Sequence, residues 1–165
     1  MSKTSNIRQL TPKDFQLWKS IRLEMLTVAP EAFGSSFEEE VAWTNENWQE
    51  ALNKNKIFGA FQEEKLIGTA GLQCHQDLKK KHIGWLFAVY VQAANRCLGV
   101  ADQLVNVVIN EAIKTLLQLN CGVIADNPSA AKIYERHGFV QYGVEPRALK
   151  QGDRFYDMRL MVKVL

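Results

Sequence analysis

Arg96, Gly99 and Ala101 stand in the stretch "NRCLGVADQL", Asn95 to Leu104, where the apolar positions change from strand-like to helical spacing. A strand that ends in a glycine-containing turn and opens a helix gathers backbone N–H groups and the positive end of a helix dipole at one place, which makes an anion site. Gly99 lets the backbone approach the anion without a Cβ, small Ala101 lets the helix sit close, and Arg96 adds a charge-assisted hydrogen bond. The chemistry that fits is the holding of a phosphate. A short RxxGxA pattern recurs by chance, so it needs a second motif beside it. One follows in "DNPSAAKIYERHGF", a compact helix that carries the phenol of Tyr134, with Asn127 as a cap, Pro128 at the first position and Gly138 just past the end.

The elements that position these residues follow from periodicity. A first strand near "NIRQL" precedes "TPKD", where Thr11 and Asp14 form a capping box around Pro12, and Trp18, Ile21, Met25 and Val28 give the next helix an apolar face. Ser36 with Glu39 opens a second amphipathic helix through Phe37, Val41, Trp48 and Leu52. "KIFGAFQ", "LIGTAGLQCH" and "HIGWLFAVYV" are joined by short charged turns and predict an antiparallel meander. The third of these loses polar alternation near its end, as a central strand covered on both faces does. From Val100 the apolar positions Leu104, Val108 and Ala112 predict a helix, and Leu119, Cys121 and Val123 then alternate on a strand. Two strands, near "VQYGVE" and "RFYDMRLMVKV", follow the Tyr134 helix. This order predicts an α/β (α+β) sandwich, one sheet with helices on both faces, and disfavours a regular βαβ dinucleotide fold, which would also carry GxGxxG.

A chain of 165 residues is expected to form a single domain over 1–165. Its hydrophobic share of 47% and charged share of 23% are globular values, and a net charge of +2 offers no electrostatic reason to propose nucleic acid or an anionic membrane as partner. No stretch resembles a signal peptide or spans a bilayer, so the expected compartment is the cytoplasm. Cys74, Cys97 and Cys121 are widely spaced without a CxxC pair, which predicts reduced thiols and no metal site.

"VYVQAANRCLGVADQL" resembles the acetyl-CoA-binding signature of the GNAT superfamily of N-acetyltransferases, (Q/R)xxGx(G/A) after the fourth strand, with Arg96, Gly99 and Ala101 at its marked positions. "NPSAAKIYERHGF" is similar to the superfamily's NxxAxxxYxxxGF segment, with Asn127, Ala130, Tyr134, Gly138 and Phe139 in register. The early "PEAFGSSFEEE" and the late "GVEPRALKQGDRFYDMRLM" resemble a bacterial subgroup of small acetyltransferases, so the likeness spans nearly the whole chain. The resemblance implies a mixed, mostly antiparallel central sheet and acetyl-CoA (coenzyme A) as co-substrate, without a metal. It places cofactor contacts at Val89, Val91, Arg96, Leu98, Gly99, Val100, Ala101 and Asn127. Members usually carry Pro shortly before the arginine and Gly directly after it. Here the segment reads "QAANRC", and Cys97 occupies that glycine's place.

In the implied reaction a neutral primary amine of a small molecule or peptide attacks the thioester carbonyl and the sulfur leaves. A backbone N–H at Val91 or its immediate neighbours meets the carbonyl oxygen. Tyr134 is expected to protonate the departing sulfur, a phenol of pKa about 10 facing a thiol of about 8.5; the alternative is a ring that only packs, with its hydroxyl in water. Relatives often place a glutamate base on the fourth strand, but no carboxylate stands between Lys81 and Asp102, so proton loss through ordered water is expected. Glu38, with Glu39 and Glu40 beside it, is a candidate for the amine, or else part of a solvated first helical turn. Arg147 and Tyr156, with Lys150 and Asp157, are candidates for the far wall of the acceptor cleft, or else surface ion pairs. Trp43, Trp48 and Trp85 are expected in the core. A different class stays open, a non-catalytic acyl-CoA-binding sensor or interaction module, and homodimerisation is left open with it.

Overall fold

The computed structural model describes residues 6–165. Strand β1 (Asn6–Gln9) leads to the expected Thr11–Asp14 box: the Thr11 N–H donates to the Asp14 carboxylate at 2.8 Å, and Arg8 donates to its other oxygen at 2.8 Å. Helix α1 (Phe15–Val28) follows and buries Trp18, Ile21, Arg22, Met25 and Leu26. Val28, expected on that face, is the last residue of the helix and is 56% exposed, while Leu26 is buried.

The single second helix expected from Ser36 onward is two. The Ser36–Glu39 box starts α2 (Phe37–Val41), and a further box in which Asn47 N–H donates to Thr44 Oγ1 at 3.3 Å starts α3 (Asn45–Lys54). The restart turns the chain, so Phe37 and Val41 lie exposed while Trp48 and Leu52 are buried. Trp43 packs on Trp48 with the rings tilted by 57° and their centroids 4.8 Å apart.

The meander forms as expected from β2 (Lys56–Gln62), β3 (Lys65–Cys74) and β4 (Ile83–Val91). Helix α4 (Val100–Ala112), β5 (Gln118–Ile124), α5 (Pro128–Arg136), β6 (Val140–Gln151) and β7 (Arg154–Val164) complete a seven-stranded sheet of order β1-β2-β3-β4-β5-β7-β6. All its pairs are antiparallel except β4 with β5. β6 outlasts the expected "VQYGVE": its ladder is interrupted between Glu145 and Leu149, where Arg147 has φ +52° and donates its N–H to the Asp157 carboxylate at 2.8 Å, and pairing then resumes.

The sheet separates two cores. Leu104, Val105, Val108, Ala131 and Phe139 of the α4–α5 side cover one face, and Trp18, Ile21, Met25, Trp48 and Leu52 of the α1–α3 side cover the other. Among the described residues no helix is long and apolar enough to cross a membrane, and no group of three or more His, Cys, Asp or Glu could hold a metal ion.

Candidate active site

Strands β4 and β5 pair at only three positions, Ile83 with Gln118, Gly84 with Leu119 and Trp85 with Asn120. Beyond them the strands part: β4 stays with β3, and β5 stays with β7 as far as the pair Ile124–Met158. The opening between them has a volume of about 220 Å³, and Phe87, Ala88 and Val89 line its β4 side while Gly122, Val123 and Ile124 line its β5 side. Phe33, Gly34 and Ser35 close it on the α1–α2 face, and Asn127, Ala130 and Tyr134 on the α5 face. Trp85, expected in the core, lines it too, because it sits where the two strands begin to part.

A bulge in β4 shapes this opening. Phe87 pairs with Gly71 and Tyr90 with Thr69, so Ala88 and Val89 together face the single residue Ala70. Ala88 takes φ +51°, and its carbonyl accepts a 2.9 Å hydrogen bond from the buried Thr69 hydroxyl. An extra residue reverses the alternation of side chains along a strand. Leu86 therefore joins the α4–α5 core and Phe87 packs on the α1–α3 core, whereas past the bulge Ala88 and Tyr90 lie in the α1–α3 core and Val89 and Val91 on the other side.

The turn after β4 ends at Gly99, which precedes α4 with φ +77° and offers no side chain to cap the helix. A Cβ built there would meet nothing within 4 Å, so the surface before the helix is open. The first N–H groups of α4 thus have no side-chain cap, the condition for receiving an external anion. Arg96 folds back: its Nε donates to the Val91 carbonyl at 3.0 Å and its guanidinium lies 5.9 Å from the Tyr90 ring centroid. Tyr90 donates to Glu24 Oε1 at 2.8 Å and Gln92 donates to Glu24 Oε2 at 2.8 Å, which ties the end of β4 to α1. Burial first, and then the Glu24 bond, push the Tyr90 phenol up to about 12. Asp102 would repel an anion from the first turn of α4, but Arg136 grips both of its oxygens at 2.9 Å and His137 Nε2 stands 3.2 Å from one.

Cys97 is exposed and adopts φ +61°, a left-handed conformation that glycine takes freely. That conformation costs an L-residue roughly 1–2 kcal/mol, and glycine returns part of this through its larger unfolded-state entropy. Cys97→Gly is expected to raise stability by up to about 1 kcal/mol, and Cys97→Val to lower it; urea unfolding that ranks Val at or above Gly would contradict the strain.

A family model described as an acetyltransferase (GNAT) domain matches residues 7–160. The chain belongs to the GNAT acetyltransferase family. Its fold agrees. An acetyltransferase of the GNAT family from Streptococcus pneumoniae superposes with a TM-score of 0.87 at 24% identity, over 98% of this chain and 99% of that one. A ribosomal-protein-alanine N-acetyltransferase from Brucella melitensis gives 0.83 at 23% identity over 97% and 99%. A Salmonella typhimurium protein solved with its cofactor acetyl-CoA gives 0.82 at 17% identity over 97% and 93%. Curated protein sequences yielded no match. The cofactor of the GNAT family is acetyl-CoA, and its members transfer acetyl groups.

Within this GNAT acetyltransferase the residues singled out from sequence fall into two groups. Val89, Asn127 and Tyr134 meet at the opening; Val91, Arg96, Leu98, Gly99, Val100 and Ala101 run from the end of β4 into α4 beside it. Asn127 has a structural duty as well, since its Oδ1 accepts the Ala130 N–H at 3.2 Å and caps α5. Tyr134 packs its ring edge-on to Phe139 with centroids 5.8 Å apart, and burial, with a smaller contribution from Cys121, pushes its phenol well above the usual range. Its hydroxyl makes no hydrogen bond among the described residues.

Glu38, Arg147 and Tyr156 lie outside the opening. Glu38 is exposed on α2, the Arg147 guanidinium stacks 5.0 Å from the Phe155 ring centroid, and Arg154 stacks 4.7 Å from that of Tyr156. Lys150 lines a smaller hollow with Glu31 and Glu39, and Phe33, Gly34 and Ser35 line both this hollow and the opening. Sequence reasoning passed over Arg22, Gly122 and Met158, all of which line the opening. Arg22 did leave a trace, since it stands between Ile21 and Met25 inside the apolar stripe of α1, where a charge demands a partner. That partner is Glu40, held at 2.9 and 2.8 Å. Gly122 and Met158 left none.

Proposed function

We propose that this chain, acting as one domain over residues 1–165, transfers the acetyl group of acetyl-CoA to a primary amine of a small molecule or peptide by direct attack. The observation that carries this reading is the opening between β4 and β5, which Tyr134 lines and whose β4 side leads through Val91 and Gly99 to the uncapped start of α4. The residues present fit the cofactor: the open backbone surface at Gly99, with the first N–H groups of α4, would hold the pyrophosphate, and Val89, Val91, Leu98, Val100, Ala101 and Asn127 would border it. When bound, acetyl-CoA supplies an activated acyl carbon and a thiolate leaving group. An extra residue in a bulge drops out of the ladder, so a backbone N–H at Ala88–Val89 is the donor we assign to the carbonyl oxygen, slightly before Val91, which remains paired with Gly68. Tyr134 would donate to the departing sulfur.

Among the described residues, those lining the opening include no carboxylate, histidine or lysine. With no such base lining the opening, we assign the amine's proton to solvent water. An aliphatic amine of pKa about 10.4 is neutral in roughly one molecule in 2,500 at pH 7. The expected result is a kcat/KM that climbs about tenfold per pH unit until it reaches the acceptor's own pKa. A plateau that sets in near pH 6–7 for every amine tried would instead reveal an enzyme base.

Release of free thiol from acetyl-CoA, measured against polyamines, aminoglycosides, amino acids and peptides, tests the function itself. A chain that binds acetyl-CoA and releases no thiol with any acceptor would be the non-catalytic acyl-CoA module instead. Binding alone is tested by melting, since a ligand at a hundredfold excess over its Kd stabilises the native state by about 2.7 kcal/mol. Gly99→Asp sets a carboxylate where the phosphates would lie and is expected to weaken acetyl-CoA ~10–100-fold, with Arg96→Ala milder because the backbone donors remain. Wild-type affinity in both variants would move the phosphate site elsewhere.

A further inference from the structure

Gly122 faces the side of β5 opposite Cys121 and Val123, which point into the α4–α5 core. Continuing the parallel register from Trp85–Asn120 sets Gly122 across the opening from Phe87, one residue before the bulge at Ala88. The absent side chain at Gly122 leaves a space, and Met158 fills it. Met158 pairs with Ile124 on the neighbouring strand β7, and its thioether runs diagonally back over Gly122, so that a Cβ built on Gly122 would collide with the Met158 sulfur and lie 3.1 Å from its Cγ. Both residues line the opening.

We propose that Met158, folded over Gly122, forms the wall against which the acyl group of the donor ends, and so restricts the donor to short acyl thioesters, acetyl over butyryl. The inference rests on the reading that the opening receives the thioester. An acyl carbonyl held at the β4 bulge has the β5 edge in front of it, and the nearest apolar surface there is the methionine thioether rather than backbone. The opening, of about 220 Å³, is bounded by this wall, so an acyl chain lengthened toward β5 meets the Met158 thioether. A methylene in an apolar pocket is discriminated by roughly 10–200-fold. An unbranched thioether is also the side chain most easily reshaped by a neighbour, which makes its replacement the direct probe.

Calorimetric Kd values for coenzyme A, acetyl-CoA and butyryl-CoA on the wild-type protein and on Met158→Ala test this without knowledge of the acceptor. Coenzyme A serves as the reference for everything except the acyl group. We expect the wild type to bind acetyl-CoA at least tenfold more tightly than butyryl-CoA, and Met158→Ala to bring the two within about threefold. Met158→Val, a smaller change in the same place, should fall between them and keeps the test alive if the alanine variant does not fold. Equal acetyl-to-butyryl ratios in wild type and folded variants, with coenzyme A bound by all, would overturn the role of Met158 alone. Failure of the wild type to bind coenzyme A or either thioester would overturn the reading of the opening and this inference together.

Discussion

Tyr134→Phe is expected to lower kcat by roughly 10²–10⁴ while leaving the affinity for acetyl-CoA almost unchanged. The phenylalanine keeps the ring in its edge-on contact with Phe139 and deletes only the hydroxyl, so the packing of α5 on the sheet is preserved. Burial raises the Tyr134 pKa, which keeps the proton on the oxygen throughout the neutral range; the resting residue is a donor. A raised pKa also makes full proton transfer to a thiolate of about 8.5 less favourable, so the stabilisation arises as charge develops on sulfur in the same dry surroundings. An effect on kcat without one on binding marks an interaction made chiefly in the transition state. Single-turnover measurements with saturating acceptor isolate the chemical step. A phenylalanine variant within threefold of wild type under those conditions would end the proton-donor role and leave Tyr134 as a packing residue.

Breaking the Arg22–Glu40 pair is expected to cost about 3–5 kcal/mol, a fall in Tm of about 6–20 °C for a domain of this size. The two side chains are 8% and 4% exposed and meet in a two-pronged contact. Removing either partner leaves a buried, unpaired charge, so Glu40→Gln and Arg22→Met should be similarly damaging. The double variant Arg22→Met with Glu40→Leu removes both charges and should recover most of the loss, because a desolvated ion pair is worth little against apolar residues of similar volume. Urea unfolding of the two single variants and the double variant decides it. Single substitutions within 1 kcal/mol of wild type would show that water reaches the pair. Arg22 also touches the opening, and its guanidinium lies 5.7 Å from the ring centroids of Trp18 and Phe33, so the same pair braces the segment that closes the α1–α2 side.

The legible part of the fold was the part governed by neighbours along the chain. The capping boxes at Thr11–Asp14 and Ser36–Glu39 form with the expected partners, Asn127 caps α5, and the three strands of the meander take the expected order. Each depends on groups within a few residues of one another, where residue type and spacing decide the outcome. The apolar spacing from Phe37 to Leu52 predicts one helix, but the Thr44–Asn47 box restarts the chain in a new direction.

The candidate site divides in the same way. Sequence alone determined that a strand ends in a glycine turn before α4, that Tyr134 rides on a capped helix, and that the motifs they sit in resemble one family. Tertiary structure alone decided that β4 and β5 part after three pairs, that the extra residue at Ala88 exchanges the faces of the strand, that Arg22 meets Glu40, and that Met158 covers Gly122. These depend on register between strands remote in sequence, and the side-chain period of a strand is two. A one-residue slip therefore exchanges the sides of the sheet that Ala88 and Val89 face without altering a single local preference.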